Sequence, residues 1–441
     1  MPNIYGNIQY SFINNSRMKN NMYQWAKELF PINRSITGDG VRKTLRYIKN
    51  EIPKIKIKSV KSGSKCFDWK VPLEWKVDRA YISDLNNNIL VDFKKNNLHL
   101  LGYSQPINKI VSFNVLKKKL HTLPNDQNAI PYRTSYYKKD WGFCIKHKNL
   151  KKLKKFNKLK VLINSKFFKG KLNYGELFIK GKSRKEILFS TNICHPSLAN
   201  NEISGPVLAM KIAKYILEKK RNYTYRVIFI PETIGAIAFI SKNLKNLREN
   251  LLAGFVLSCV GDDNSYSKIS SRFDNTFADK ILERTLNAKN IKFKKYSFLS
   301  RGSDERQFCS PGVDLPVCSF CRTKHGEFKQ YHTSKDNLDY ISQKGLNNSN
   351  KVMKSLINNI EKSSFYKTTS LCEPFLTKHN LKKTISGERK MSFKTKMLID
   401  AIAYSDGKFS LEDISEFTRI KKKYLNNILK NLIKYKIVKK L

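Results

Sequence analysis

The sequence lacks an apolar run long enough to cross a bilayer as a helix, which requires about 20 residues. Its longest apolar stretches, Val227–Ile230 and Phe255–Val260, have the length of buried strands. The opening segment, MPNIYGNIQYSFINNSRMKNN, also lacks the apolar core of a signal peptide. These absences argue against a membrane-spanning protein, and we expect a cytoplasmic protein with no membrane partner.

Cysteine is scarce, and its eight residues are scattered along the chain. Cys318 and Cys321 form one close pair, but no second pair stands at the spacing of a zinc site. The run that contains them, VCSFC, is typical of a buried strand. Without an export signal, this distribution favours reduced thiols over a disulfide framework.

Acidic residues are also few. The chain has 35 Asp and Glu but 85 Lys and Arg, which gives a net charge of +50. Such an excess suggests a nucleic-acid or anionic membrane partner. The lysines are spread along nearly the whole chain, however, and asparagine is abundant beside them. Joint enrichment of this kind is typical of a genome biased toward A and T. We therefore interpret the charge as a solvated surface that binds polyanions without specificity.

The length of 441 residues is too great for one ordinary core and predicts two or three domains. Met18–Ile52 has apolar residues at helical spacing, whereas the segment from Ile55 to Cys144 contains short β-rich runs. The aromatic residues of YRTSYYKKDWGFCI, near the end of that segment, are interpreted as core, with a groove lining as the alternative.

Beyond the β-rich segment, strands such as KEILFSTNI and YRVIFIPE alternate with helices such as GPVLAMKIAKYILEK. This alternation predicts an α/β fold with a mostly parallel mixed sheet covered by helices. The predicted domains are an α/β domain at 18–54 and 145–365, an inserted β-rich domain at 55–144, a linker at 366–390 and a winged helix at 391–441.

The winged helix is predicted from three short helices followed by a terminal hairpin. Ser410 and Asp413 have the spacing of a helix start. The third helix, KKKYLNNILKNLIKYK, is rich in lysine and suits phosphate contacts. Since lysine is abundant throughout the chain, we expect either a protein contact or nucleic-acid binding without sequence specificity.

Polar loops follow the predicted strands, where ligands of such sheets bind. His195 follows an apolar strand and precedes Asn201 and Glu202, a pattern that suits a metal held at strand tips. The alternative is a structural histidine. Glu232 ends another strand, where a carboxylate is costly unless it has a use. It could accept a proton from an attacking water, and the alternative is a helix N-cap, for which Glu is a poor choice.

Two further loops carry candidates. Asp262 follows the strand GFVLSCV, and His332 provides a second imidazole in a chain with only seven histidines. Asp304 and Glu305 would form a negative pocket. The alternative for both acids is pairing with the flanking Arg301 and Arg306.

The residues from about Met22 to Leu346 resemble the aminopeptidase-like proteins associated with surface-polysaccharide gene clusters. The resemblance rests on long sequence motifs that occur in the same order along the chain, among them ELFPINRSITGDGVR, ICHPSLANNEISGP, PETIGAIAF, GSDERQFCSPGVDLP and YHTSKDNLD. It implies the fold of zinc aminopeptidases and glutaminyl cyclases, with a small inserted domain and a C-terminal winged helix.

The resemblance also implies roles for single residues. His195 matches the first metal ligand, His332 the last, and Glu232 the general base. Asp304 matches an acid at the substrate end of the pocket, where we also expect Glu305, Arg301 and Tyr331.

Two departures from the family pattern reduce the expected metal content. Asn201 stands where the metal-bridging Asp is expected, and Thr233 stands where wider relatives have a Glu ligand. We therefore expect one zinc ion, held by His195, His332 and an acid, either Glu202 or Asp262.

These residues predict a metal-dependent, aminopeptidase-like hydrolase that cleaves an amide or peptide bond of a sugar-linked or small peptidyl substrate. The alternative is a catalytically impaired ligand-binding protein whose winged helix contacts a protein or nucleic acid. The sequence leaves a homo-oligomer open.

Overall fold

The structure is a computed structural model that describes residues 21–381 and 391–441. Met18, the predicted start of the first helix, and residues 382–390 of the predicted linker lie outside the described residues. The helices of the described part, α1 to α12, are Met22–Leu29, Asp39–Glu51, Phe113–Lys117, Asn149–Lys154, Ser204–Leu217, Ile234–Asn250, Phe277–Asn287, Glu305–Phe308, Gln343–Lys362, Phe393–Ala403, Leu411–Thr418 and Lys422–Lys434. The strands, β1 to β19, are Lys56–Lys61, Lys65–Cys66, Trp69–Lys70, Glu74–Ser83, Ile89–Asp92, Ile107–Ser112, Leu120–His121, Phe143–Cys144, Lys158–Phe168, Lys171–Ile179, Glu186–Asn192, Thr224–Ile230, Leu251–Leu257, Ser267–Ile269, Lys294–Tyr296, Val317–Cys321, Phe365–Thr368, Asp406–Ser410 and Val438–Lys440.

The largest sheet has eight strands in the order β1-β10-β12-β11-β13-β16-β14-β15. Its centre is parallel, since β11 pairs in parallel with β12 and β13, and β13 pairs in parallel with β16. Strands β1 and β10 are antiparallel at one edge, and β14 pairs antiparallel with β16. The predicted α/β class with a mostly parallel mixed sheet is confirmed.

Both faces of this sheet are covered, which explains why its central strands β11, β12 and β13 are buried along their whole length. Alternate side chains of a strand point to opposite faces. Phe189 and Phe229 accordingly join a core with α1, α5, α7 and α9, while Leu188 and Ile228 join a second core with α6.

A second sheet of four antiparallel strands, β5-β4-β9-β6, packs onto the α6 side. The strands of this sheet do not coincide with the segment 55–144 that was predicted as the insertion. Strand β1, Lys56–Lys61, belongs to the large sheet, and β9, Lys158–Phe168, belongs to the small one. The difference arises from long-range strand pairing. Strands β4 and β9 are distant in sequence, and the residue pattern of a strand does not by itself identify the strand with which it pairs.

The C-terminal lobe contains α10 to α12 and a three-stranded sheet in the order β18-β17-β19. Strand β17, Phe365–Thr368, begins at the last residue of the predicted α/β domain and continues into the predicted linker, so the lobe begins earlier than residue 391. Arg284 of α7 pairs with Asp413 of α11 at 2.8 Å and joins the lobe to the large domain. In the described ranges, no helix is both long and apolar enough to cross a membrane.

Candidate active site

His195 lies just past the carboxyl end of β11, and Glu202 holds it there. The chain turns back through a π-helical turn at Ala199–Ile203. One Glu202 oxygen lies 2.5 Å from Nδ1 of His195, and the other accepts the backbone N–H of His195 at 2.9 Å. Glu202 therefore orients the ring and leaves its Nε2 available, as outer carboxylates do for metal-binding histidines.

The charge balance around His195 shifts its pKa. Burial by itself lowers that pKa, but neighbouring Cys194 and Glu202 raise it well above the ordinary value of histidine. Burial raises the pKa of the Cys194 thiol to about 12. Cys194 is therefore a neutral thiol at physiological pH.

Arg34 supports His195 from behind the site. It lies in the polar loop between α1 and α2 and is almost fully buried. Its Nε donates to the backbone carbonyl of His195 at 3.0 Å, and its Nη1 donates to the carbonyl of Leu29 at 2.6 Å. Burial lowers the pKa of Arg34 to about 10, an effect that the Glu202 charge opposes.

His332 reaches the same place from a distant loop. Its ring centroid lies 5.5 Å from that of His195 and 3.9 Å from that of Tyr331, on which it stacks. Its Nε2 is buried and has no hydrogen-bond partner in the described part of the chain. Burial, with the nearby His195, lowers its pKa to about 3, so this imidazole is neutral and can act as a ligand.

Glu232 lies just past the carboxyl end of β12, and its Oε2 is 3.6 Å from Nε2 of His195. Its Oε1 accepts hydrogen bonds from Asn192 Nδ2 at 3.0 Å and Ser303 Oγ at 2.9 Å. Burial raises the pKa of Glu232, against the opposing effect of His195. A positioned carboxylate with a raised pKa suits proton transfer.

Asp304 sits behind Glu232 rather than in the open part of the site. It is fully buried, and its Oδ1 accepts the backbone N–H of Thr233 at 2.8 Å. Burial and the nearby Glu232 raise its pKa well above the ordinary value. The side chain of Thr233 accepts a hydrogen bond from Arg306 at 2.5 Å, so this residue links the two loops.

The other predicted substrate residues have different surroundings. The Glu305 carboxylate accepts hydrogen bonds from Gly302 N, Ser303 N and Ser319 Oγ. Arg301 is exposed and stacks over a neighbouring phenylalanine ring, while Tyr331 stacks on His332. Arg301 and Glu305 do not line the cavity described below.

Asp262 does not join the two imidazoles. Its carboxylate accepts hydrogen bonds from Thr323, from the side chain of Asn200 and from the backbone of Asn264. It therefore ties three loops together, and the structure gives it no free oxygen for a metal. The backbone N–H of Asn201 is bound in turn by Asp336, a buried acid that the sequence patterns did not single out.

A cavity of about 430 Å³ opens over His195, Glu232 and His332. Much of its wall comes from the inserted segment. The residues of that wall are Trp69, Tyr132, Arg133, Thr134, Tyr136 and Tyr137. The interpretation of the aromatic residues of YRTSYYKKDWGFCI as core was wrong for the exposed Tyr137, for which the groove-lining alternative fits.

In the described part of the chain, the potential metal ligands of Cys194, His195 and Glu202 lie within 4.8 Å of one another. This trio fits a metal poorly, because the thiol is protonated and Glu202 is committed to His195. The Nε2 atoms of His195 and His332 fit better, since that of His195 becomes a ligand when the ring gives up its proton to metal binding and that of His332 has no partner in the described chain. Two imidazoles facing one cavity would supply two of the three protein ligands that a catalytic zinc site usually has.

A mostly parallel sheet that brings two imidazoles and a carboxylate to one rim defines an aminopeptidase-like protein. A family model described as "Domain of unknown function (DUF4910)" matches residues 23–363, and a winged helix-turn-helix model matches residues 364–440. The chain belongs to the DUF4910 family. The winged helix accordingly includes the segment predicted as a linker.

A Clostridium acetobutylicum protein named as a polysaccharide biosynthesis protein with aminopeptidase-like domain is 42% identical over 419 residues, covering 92% of this chain and 94% of the relative. A crystal structure of a peptidase-type protein from the same organism has a TM-score of 0.78 at 39% identity, with 97% of each chain covered. The resemblance stated from the sequence is confirmed.

More distant structures share the fold. A zinc aminopeptidase from Bacillus subtilis has a TM-score of 0.57 at 12% identity, over 78% of this chain and 94% of that one. A peptidase M28 precursor from Shewanella amazonensis has a TM-score of 0.55 at 12% identity, over 78% and 95%.

Proposed function

We propose that the protein is a zinc-dependent amide hydrolase of the aminopeptidase type, with one zinc ion bound by His195 and His332. The observation that carries this proposal is the approach of the imidazole rings of His195 and His332 to 5.5 Å, beside the carboxylate of Glu232. The names of the relatives support a peptide or sugar-linked amide as substrate. Eight free cysteines support a cytoplasmic location.

One ion is proposed because Asn201 and Thr233 stand where acidic ligands would be needed for a second. The hydroxyl of Thr233 is engaged with Arg306. The remaining metal positions would be open to substrate and water, as in catalytic zinc sites.

The roles of the residues follow from their contacts. A zinc ion supplies Lewis acidity, which polarises a carbonyl oxygen and lowers the pKa of water. Glu232 accepts the proton of the attacking water and then delivers it to the leaving nitrogen. Asn192 and Ser303 hold Glu232 in place for both transfers, while Glu202 and Arg34 hold His195.

The test is the zinc content and hydrolytic rate of the purified protein on amino-acid anilides and N-acetylated sugars. We expect near-stoichiometric zinc, lost in His332→Ala because one of two imidazoles is removed. Glu232→Gln should keep zinc but hydrolyse roughly 10²- to 10⁴-fold more slowly, since it removes only the general base.

The matched control is His379→Ala, in the C-terminal lobe, which should keep both zinc and activity. If the wild-type protein contains no zinc after a gentle purification, the proposal is overturned and the ligand-binding alternative is favoured. So would full zinc retention in His332→Ala.

A further inference from the structure

The cavity over Glu232 carries two guanidinium groups, those of Arg133 and Arg306. Arg306 uses one Nη to bind the hydroxyl of Thr233. Its Nε is buried and has no hydrogen-bond partner within residues 21–381 and 391–441. Arg306 as a whole is only half-buried and lines the cavity, so its remaining guanidinium nitrogen is the donor that is available to an acceptor on a ligand.

Arg133 adds a second positive charge, on the part of the cavity wall that the inserted segment supplies. It is exposed, and no ion pair of its side chain occurs among the described residues. The Arg133 side chain is therefore open to an anionic ligand.

No acid of the described chain forms an ion pair with Arg133 or Arg306, although Arg306 lies close enough to Glu232 and Asp304 to lower the pKa of both. Asp304 is fully buried behind Glu232, and the oxygens of Glu305 are bound to loop N–H groups and a serine. Glu232 is the one acid that lines the cavity in the described chain. A free amine would therefore meet two guanidiniums and a single carboxylate.

Aromatic rings form the mouth of the same cavity. Trp69 and Tyr137 are 39% and 56% exposed and pack edge to face, with centroids 5.6 Å apart. Deeper in the cavity, the hydroxyls of Tyr132 and Tyr136 lie 3.2 Å apart. Exposed ring faces beside phenolic hydroxyls suit a ligand that has both an apolar ring face and hydroxyl groups.

We propose that the substrate is an amide attached to a sugar-like ring that bears an oxyanion, either a carboxylate or a phosphate. The oxyanion binds Arg306 and Arg133, because guanidinium groups match the geometry of both anions. The sugar ring lies against Trp69 and Tyr137. The identity of the cleaved bond rests on the proposed function, whereas recognition of the oxyanion does not.

The test is a calorimetric titration with glucuronate, glucose 6-phosphate and glucose at physiological salt. We expect one or both acidic sugars to bind more tightly than glucose. Arg306→Gln should weaken binding of the acidic sugar by roughly 10- to 100-fold, the usual effect of losing a charge-assisted hydrogen bond. Glucose binding should stay unchanged.

Arg133→Gln provides a second variant, because this exposed residue can be replaced without disturbing the core. The matched control is Arg79→Gln, which removes an exposed arginine that stacks on Tyr81 and does not line the cavity. The control should bind acidic sugars as the wild type does. Equal loss in Arg79→Gln would overturn the proposal by attributing binding to the general charge of the chain.

The three ligands separate the outcomes. Tighter binding of glucuronate alone supports a carboxylate, and tighter binding of glucose 6-phosphate alone supports a phosphate. Equal affinity for all three overturns the proposal, even if the protein contains zinc and hydrolyses amides. A zinc-free protein that still prefers acidic sugars would instead overturn the proposed hydrolase and leave this inference standing.

Discussion

Arg34 is a buried cation whose hydrogen bonds end on backbone carbonyls rather than on a carboxylate. Replacing it with Met removes the donor to the His195 carbonyl and the charge that faces Glu202. We expect zinc affinity to fall about 10- to 100-fold, as it does when outer groups of a metal site are lost. Competition with a fluorescent zinc chelator measures the zinc affinity of Arg34→Met and of the wild type.

The control for that change is a second buried arginine. Arg221 also donates to backbone carbonyls, those of Ile216 and Tyr215, at the far end of α5. Arg221→Met should lower stability but leave the zinc affinity of the folded protein unchanged. Equal losses of zinc affinity in both variants would contradict the assigned role of Arg34.

At the scale of elements, the site depends on how closely α5 approaches the sheet. A Cβ added at Gly205 would lie 2.3 Å from Thr191 Oγ1 and 2.4 Å from the backbone oxygen of Leu257. Because that oxygen belongs to β13 and cannot move alone, Gly205→Ala should displace the start of α5. We expect a loss of about 1–3 kcal/mol in the free energy of unfolding, measured by urea titration.

Gly102→Ala is the matched substitution. The nearest atom to its new Cβ would be a methyl group of Thr134, at 3.0 Å, which can shift more easily. This variant should lose less stability than Gly205→Ala. The reverse order would show that α5 tolerates displacement.

At the scale of the whole molecule, Asp413 both caps α11 and joins the winged helix to α7. It accepts hydrogen bonds from Ser410 and from Arg284. Burial alone would raise its pKa, but the Ser410 hydrogen bonds and the charges of Arg284 and Lys280 outweigh burial and lower it. The predicted helix start at Ser410 and Asp413 is confirmed.

This lowered pKa gives a pH dependence of defined sign. The ionised Asp413 contributes its full stabilisation above the unfolded pKa of about 4, and the contribution is lost as pH falls through the folded pKa. The difference in Tm between wild type and Asp413→Asn should therefore be largest above pH 5 and shrink below pH 4. Asp400→Asn, which removes an acid of an exposed pair on α10, should show little difference at any pH.

The surface of the winged helix carries exposed lysines that suit a polyanion partner. Helix α12 exposes Lys423, Lys430 and Lys434, while the acids Asp413 and Glu416 of α11 pair with Arg284 of the large domain. Contact of α12 with a polyanion, without sequence specificity, stays a prediction. A steep salt dependence with equal affinity for unrelated DNA sequences is the expected result.

The sequence by itself determined the α/β class and the C-terminal winged helix. It also placed His195, Glu232 and His332 in polar loops beyond predicted strands, because strand ends and sequence stretches shared with a family can be identified locally. It could not determine that Glu202 orients His195, that Asp262 ties loops together, or that the inserted lobe supplies an arginine and an aromatic mouth to the cavity. Those features depend on contacts between residues far apart in the chain. Only tertiary packing decides that the carboxylates of Glu202 and Asp262 are already bound, whereas Glu232 lines the cavity.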